Sequence, residues 1–381
     1  VCILTLQTFP AMSDCLLAST TATVGCLAGL LRLPCLFGRP LWRRGRPKRF
    51  AAPSTGLDAA ALGSGFEDVY FISADGTRLH AVEGAGFGRR GPKRPLVFVH
   101  GFPDMWTSWE GQMQFFASLG HPVMAMSLRG CGLSDKPLEA EMYDLETCLV
   151  ADMRAGLDYV RQTCGQQPVL VAHGVGALIG WRLLTLTADA PEVAGFVSLS
   201  MPPLEACARG LRSLSQLYSW LYILAFSMPK LPEALLTFQN AFLGAVLLND
   251  LERAQVRPEL LHLSRANLLQ PRAARGHLNY YRMLVRKMMG SVLNGRDTYW
   301  SELLRGQSEH KEVLGSHHKL KLPVLILKGS HDHICKEGLF ADLSEYLHNY
   351  RFVVIEPCSH RVHLDAMAEV NTEISQWLQC L

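Results

Sequence analysis

From residue 66 onward the chain alternates short strand-like runs with longer runs of helical spacing, and that alternation limits its fold more than any other feature. A short apolar run bounded by turn residues reads as a buried strand, and apolar spacing near 3.6 reads as an amphipathic helix. Parallel neighbours need a crossover between them, which the helical runs supply, so the pattern implies a largely parallel sheet with helices packed against it. Residues 66–72 and 79–83, joined by Ala74-Asp75-Gly76, read as an opening hairpin. Strands follow at 95–99, 122–126, 169–172 and 196–200, with helices at 106–119, 145–163 and 177–186.

The alternation then stops. Residues 203–315 carry helical patterns, as at 214–226, 232–248 and 278–289, and almost no strand signal. Strands resume at 324–327 and 352–355, and a last helix is expected over 367–378. A helical block interrupting an α/β sheet that later resumes is expected to sit as a cap over the sheet's active face. The domain plan is therefore an N-terminal segment over 1–50, a linker over 51–65, a core over 66–202 and 318–381, and a cap over 203–317.

Composition narrows the class. The chain has 381 residues, 49% hydrophobic and 19% charged, which is ordinary for a globular protein. A net charge of +3, concentrated near the N-terminus, gives no reason to expect nucleic acid as a partner. Eleven cysteines are scattered without CxxC pairs or zinc-ligand spacing, which fits free thiols in a reducing compartment, and neither a metal nor a cofactor is expected. The first residue is Val and the first Met is Met12, so the leading residues are expected to be an extension of the reading frame. Residues 15–31 carry no charge and would span roughly 25 Å as a helix, the lower limit for crossing a bilayer. Arg32, Arg39, Arg43, Arg44, Arg46, Lys48 and Arg49 follow. The positive-inside rule then gives a membrane anchor with the globular domain facing the cytosol, the endoplasmic reticulum being the expected membrane. A targeting peptide or a merely membrane-associated segment is the alternative.

The segment Pro168-Val-Leu-Val-Ala-His173-Gly174-Val175-Gly176-Ala177-Leu-Ile-Gly-Trp181 reads as strand, sharp turn and helix. That is the layout of the nucleophile elbow of α/β hydrolases, in which the attacking side chain stands at the tip of the turn. Here the tip is Gly174. The strand at 95–99 runs into His100-Gly101-Phe102-Pro103, a turn whose N–H groups can point at a developing oxyanion. Asp332 follows the strand at 324–327, where a triad acid belongs, although an Asp in that place also serves as a turn or cap residue. His360 follows the last strand and completes the order nucleophile, acid, histidine, with His331, His333 and His363 as neighbouring alternatives.

Together these residues resemble the epoxide hydrolase branch of the α/β hydrolases, and its membrane-anchored members in particular, over roughly residues 66–381. The resemblance rests on His100-Gly-Phe-Pro-Asp-Met-Trp106-Thr-Ser-Trp109, Leu128-Arg129-Gly130-Cys-Gly132-Leu-Ser134-Asp-Lys-Pro137 and His173-x-x-Gly176-Ala-x-x-x-Trp181. In the helical block it rests on Phe226-x-x-Pro229-x-Leu-Pro-Glu233 and Asn279-Tyr280-Tyr281-Arg282. It implies an α/β-hydrolase fold, a mostly parallel sheet with an inserted helical cap, and the conversion of an epoxide to a vicinal diol. In such enzymes an Asp attacks an epoxide carbon to form an ester, two cap tyrosines hold the ring oxygen, and a His–acid pair activates the water that cleaves the ester. Carried over, the tyrosines fall on Tyr222 and Tyr281, the acid on Asp332, the base on His360 and the oxyanion donors on the N–H groups of Phe102 and Val175. Either tyrosine could instead be an aromatic that only packs the cap.

The pattern breaks at its centre. Where the family has His-Asp-Trp-Gly, this chain has His173-Gly174-Val175-Gly176; Ser127 stands for another family Asp, and Arg361 for the Trp after the histidine. Gly cannot attack carbon, and loss of a nucleophile costs on the order of 10⁶ in turnover even with the other groups in place. The ester mechanism is therefore expected to be impaired. Three readings follow: a protein that binds a small apolar epoxide or lipid-like ligand, a hydrolase in which His360 directs water straight at the epoxide, and a membrane-anchored interaction protein using the cap surface.

Overall fold

The computed structural model describes residues 58–59, 65–84, 86–88, 91–188, 191–237, 258–294 and 319–381. The apolar run at 15–31, the basic stretch after it and most of the expected linker lie outside the described residues, as does much of 232–248. Among the described residues no helix is long and apolar enough to cross a membrane.

The elements follow the expected alternation. They run β1 Phe66–Ile72, β2 Arg78–Gly84, β3 Leu96–Val99, α1 Glu110–Ser118, β4 Val123–Ser127, α2 Val150–Cys164, β5 Val169–His173, α3 Gly174–Leu186 and β6 Gly195–Leu199. Six helices come next: α4 Leu204–Gly210, α5 Leu214–Ser219, α6 Leu221–Ser227, α7 Leu231–Thr237, α8 Pro258–Leu269 and α9 Ala273–Asn294. The sheet resumes with β7 Val324–Gly329 and β8 Tyr350–Ile355 before α10 Val362–Asp365 and α11 Met367–Leu378. The eight strands lie in the order β1-β2-β4-β3-β5-β6-β7-β8. Only the pairings of β2 with β1 and with β4 are antiparallel; the others are parallel. Every residue of β3 to β7 is buried, as a parallel sheet covered on both faces requires. One face packs Met126, Leu157, Ala172 and Ile179; the other packs Phe98, Trp109, Phe116, Val171, Ile374 and Trp377.

Several boundaries differ from expectation, each for a local reason. The helix expected over 106–119 opens as a 3-10 turn, Trp106–Trp109, whose two indoles are buried. The helix expected from 145 begins with a wider turn, Leu145–Leu149, capped by the Asp144 carboxylate on the Glu146 and Thr147 N–H groups. It ends at Gly165 in the left-handed conformation, φ 69°. The single helix expected over 214–226 is two, because Trp220 leaves helical geometry between α5 and α6. The helix after β5 starts at Gly174 rather than at residue 177, and it is entered through the left-handed backbone of that glycine, φ 51°.

The cap is clamped to the core by close backbone approach and buried hydrogen bonds. Gly130, at φ 82°, faces Gly276 of α9; a Cβ on Gly276 would come within 2.8 Å of the Gly130 Cα. Only glycine tolerates both the positive φ and the contact. Beside it the Tyr280 hydroxyl donates to the Arg129 carbonyl at 2.7 Å, and the Asn267 side chain of α8 accepts from the Gly132 N–H at 2.7 Å. The Arg129 guanidinium is fully buried, bonded to Asp152 through two nitrogens and to Asp75 and the Met142 carbonyl. One side chain thus ties the β1–β2 turn, the loop after β4 and helix α2, while its carbonyl holds the cap.

Removing one member of such a buried pair strands the other's charge. Arg129→Met should cost about 3–5 kcal/mol, read as a lower urea midpoint, and Arg129→Met with Asp152→Leu should recover part of the loss. Acid should also destabilise the fold. His100 accepts the Leu128 N–H at its Nε2 (3.0 Å) and donates from Nδ1 to the Gly101 carbonyl (2.8 Å), and burial pushes its pKa down to about 4. Burial likewise holds His277 down, to about 3. A base depressed in the folded state stabilises above its unfolded value of about 6.5 and loses that contribution as pH falls towards 4. Urea denaturation at pH 7.5 and pH 4.5 should therefore show a drop that His100→Gln makes smaller; an unchanged drop would exclude His100 as its source.

Candidate active site

The carboxyl ends of the parallel strands are where an α/β sheet carries its site, and the candidate residues gather there. β5 delivers His173, the chain turns, and α3 leaves at Gly174 with φ 51°. The turn is tight because Gly176 passes the end of β3: a Cβ on it would sit 2.6 Å from the His100 carbonyl oxygen. Gly174 itself is not crowded. A Cβ there would meet the Gly101 Cα at 3.6 Å and the His360 Nε2 at 3.9 Å, both ordinary contacts. The backbone therefore keeps the geometry of an elbow whose side chain would point at the histidine.

His360 comes from the loop after β8 and Asp332 from the turn after β7. Their side chains meet at 2.9 Å between Nδ1 and Oδ2, with the carboxylate fully buried. The other Asp332 oxygen accepts the N–H groups of Ile334 and Cys335, both at 2.9 Å. The turn-capping role and the place beside the histidine thus belong to the same residue, one oxygen for each. Of the neighbouring histidines, His331 contacts Ser330, and His363 is buried between the Trp109 and His173 rings, 4.4 and 4.6 Å between centroids.

An apolar cavity of about 570 Å³ opens over this point. Phe102, Val175, Tyr222, Tyr281, Gly174 and His360 all line it; Asp332 stands behind His360. Tyr222 is on α6 and Tyr281 on α9, their rings 5.8 Å apart, and Phe102 meets Tyr281 edge-on at 5.2 Å. Burial raises the pKa of both tyrosines above the ordinary phenol value, so at neutral pH each keeps its proton and can donate it in a hydrogen bond. Val175 is the second residue of α3, so its N–H is among the first-turn donors that lack an intrahelical acceptor. The Tyr281–Arg282 pair divides its work: Tyr281 faces the cavity while Arg282 bonds Glu233 and the Met228 carbonyl, joining α9 to α7.

Two wall residues carry more than sequence reasoning gave them. Arg361, noted only as a departure from the family Trp, lines the cavity while 5% exposed, and its Nη1 lies 3.4 Å from Asp104 Oδ1. Asp104 is 2% exposed, and its burial raises its pKa while Arg361 opposes the rise. No local pattern pairs these residues, because they come from the loops after β3 and β8. The second is His173. Its Nε2 donates to the His360 carbonyl at 3.1 Å, which leaves Nδ1 a bare lone pair in a buried place. Among the described residues, Asp104, His173 and His363 form one group whose ligand atoms could share a metal ion, and Asp332, Cys335 and His360 another. In the first group the Arg361 charge opposes a cation, and burial, with that charge adding to it, pushes both imidazoles down. In the second a cation would have to break the His360–Asp332 hydrogen bond.

Comparison with known proteins agrees with this geometry. The alpha/beta hydrolase fold family matches residues 94–366. Epoxide hydrolase 4 of Mus musculus is 27% identical over 360 residues, covering 92% of this chain and 89% of that protein. Epoxide hydrolase 3 of Xenopus tropicalis is 28% identical over 319 residues, covering 80% and 75%. Bifunctional epoxide hydrolase 2 of Sus scrofa is 25% identical over 353 residues, of which this chain spans 57% of the length. Among solved structures, a Bacillus megaterium epoxide hydrolase superposes with TM-score 0.65 at 23% identity, covering 81% of this chain and 99% of that one. The eight-stranded sheet, the helices inserted after β6 and the match over residues 94–366 make the chain a member of the alpha/beta hydrolase fold family, one that is epoxide-hydrolase-like by its relatives.

Proposed function

We propose that this protein is an epoxide-hydrolase-like member that holds a small apolar epoxide or lipid-like ligand in its cavity and has lost the ester-forming step. The observation that carries the reading is Gly174, at the tip of a well-formed elbow, its vacant side-chain position 3.9 Å from His360 Nε2. Epoxide opening by the ester route needs a carboxylate at that point. Supporting this reading, Tyr222, Tyr281, Phe102, Val175 and His360 line the same cavity and Asp332 is bonded to His360, which suits the tyrosines as donors to a ring oxygen and the N–H groups of Phe102 and Val175 as oxyanion donors. These groups serve epoxide binding and the second, hydrolytic half of the reaction, and without a nucleophile that second half has no ester to cleave.

A second reading is favoured by one distance. The gap between Gly174 and His360 has room for a water, which a His oriented by Asp332 could direct at an epoxide held by the tyrosines. That route gives slow diol formation and no covalent intermediate. For the N-terminal segment, the uncharged run at 15–31 and the basic residues after it support a membrane anchor with the core facing the cytosol.

Turnover of a lipid epoxide by the native chain and by Gly174→Asp separates these readings. The proposal expects no diol from the native chain and a gain of several orders of magnitude in the variant, with an alkyl-ester adduct visible by mass spectrometry in the variant alone. The variant carries a β-carbon at φ 51°, a cost that Asp bears better than most residues. Diol from the native chain without an adduct would replace the binding reading by the water route. An adduct on the native chain would sink both. Adding Tyr281→Phe to the variant should lower the recovered rate by roughly ten- to a thousandfold, the scale of losing one oxyanion donor.

A further inference from the structure

The removal of a carboxylate at the tip of the elbow changes the charge of the cavity as well as its chemistry. The described residues that line it include two cations, Arg361 and Lys287, and neither an Asp nor a Glu. Lys287 has its own partner outside the lining, the Asp144 carboxylate at 2.9 Å. Arg361 is held less completely. Asp104 approaches one edge of the guanidinium at 3.4 Å, longer than the 2.7–2.9 Å usual for a charge-assisted bond, while Nη2 is buried with no protein partner. Arg361 directly follows His360, whose Nε2 lies 3.9 Å from the vacant side-chain position at Gly174, and all three residues line the same cavity.

The corner of the cavity at Gly174 is rich in hydrogen-bond donors. Tyr222 and Tyr281 hold their protons, the first turn of the thirteen-residue α3 offers N–H groups, and the helix dipole adds positive potential at Gly174. A Cβ built at Gly174 touches nothing closer than 3.6 Å, so the space that a side-chain carboxylate would take is open. Away from the corner most of the walls are Leu, Ile and Met side chains, with the Trp220, Tyr143 and Tyr280 rings among them. The volume of about 570 Å³ lies within the range of about 300–1,000 Å³ usual for sites that bury small organic ligands.

We propose that this site binds an aliphatic monocarboxylic acid, with its carboxylate in the place vacated at Gly174, beside Arg361 and the first turn of α3, and its chain along the apolar walls. The ligand supplies an anion that the cavity lining lacks. The inference rests on the reading of the cavity as a ligand site and gives that ligand a polar end.

The test uses three probes of one chain length, dodecanoate, dodecanol and methyl dodecanoate, titrated calorimetrically below their aggregation limits at pH 7.5. Dodecanoate should bind at least about tenfold more tightly than either neutral probe, the scale of a hydrogen-bonded charge. Arg361→Gln should weaken dodecanoate about tenfold and leave dodecanol nearly unchanged. Gly174→Asp, which returns an anion to the corner, should weaken dodecanoate at least as much by like-charge repulsion, and it stands as an independent arm if Arg361→Gln fails to fold by circular dichroism. Equal affinity for all three probes, or dodecanoate binding that survives in the folded variants, would overturn the carboxylate assignment while leaving an apolar ligand site. Binding of none of the three would overturn the ligand-site reading itself.

Discussion

The buried Arg129 guanidinium is the interaction on which the rest of the molecule depends. A cation with no exposure is tolerable only when its donors are met, and Asp152, Asp75 and the Met142 carbonyl meet them. Because those partners come from α2, the β1–β2 turn and the segment before α2, the loop after β4 has one available course. That course sets Gly130 against Gly276 and gives the Tyr280 hydroxyl its acceptor, so the cap sits where the core loop places it. The position of Tyr281 over the elbow follows at one remove, since it neighbours Tyr280 on the same helix.

Much of this was legible in the sequence, and the legible part has a common physical character. Buried parallel strands are continuous apolar runs, so β3 to β7 announced themselves, and the loss of strand signal after β6 marked the inserted helices. The HGFP turn, Asp332 and His360 were readable because sheet topology fixes which loop ends reach the carboxyl edge. Helix ends were less readable. The break at Trp220 depends on packing rather than on a Gly or Pro, and the start of α3 at Gly174 depends on a backbone conformation that composition does not display. Least legible were contacts between distant loops. The pairing of Arg361 with Asp104, and the capping bonds that occupy one oxygen of Asp332 while the other meets His360, exist only once the sheet has formed.

The site combines strong preorganisation with an absent reactant. Asp332 is fixed by two backbone N–H groups and His360 by Asp332, and the tyrosines are held in an aromatic cluster with Phe102 and Phe226. In a hydrolase such rigidity serves the transition state. A bound ligand gains from it too, because little ordering remains to be done when it arrives. The same walls therefore suit catalysis or retention.

The elbow's shape is written in its backbone: the close pass of Gly176 under the β3 carbonyls and the helix that begins at Gly174 hold without any help from the side chain at the tip. Architecture and reactivity are thus separable in inheritance. Substitutions confined to the tip of this turn leave the contacts that shape it untouched. The outline of the scaffold therefore does not by itself report what stands at its tip.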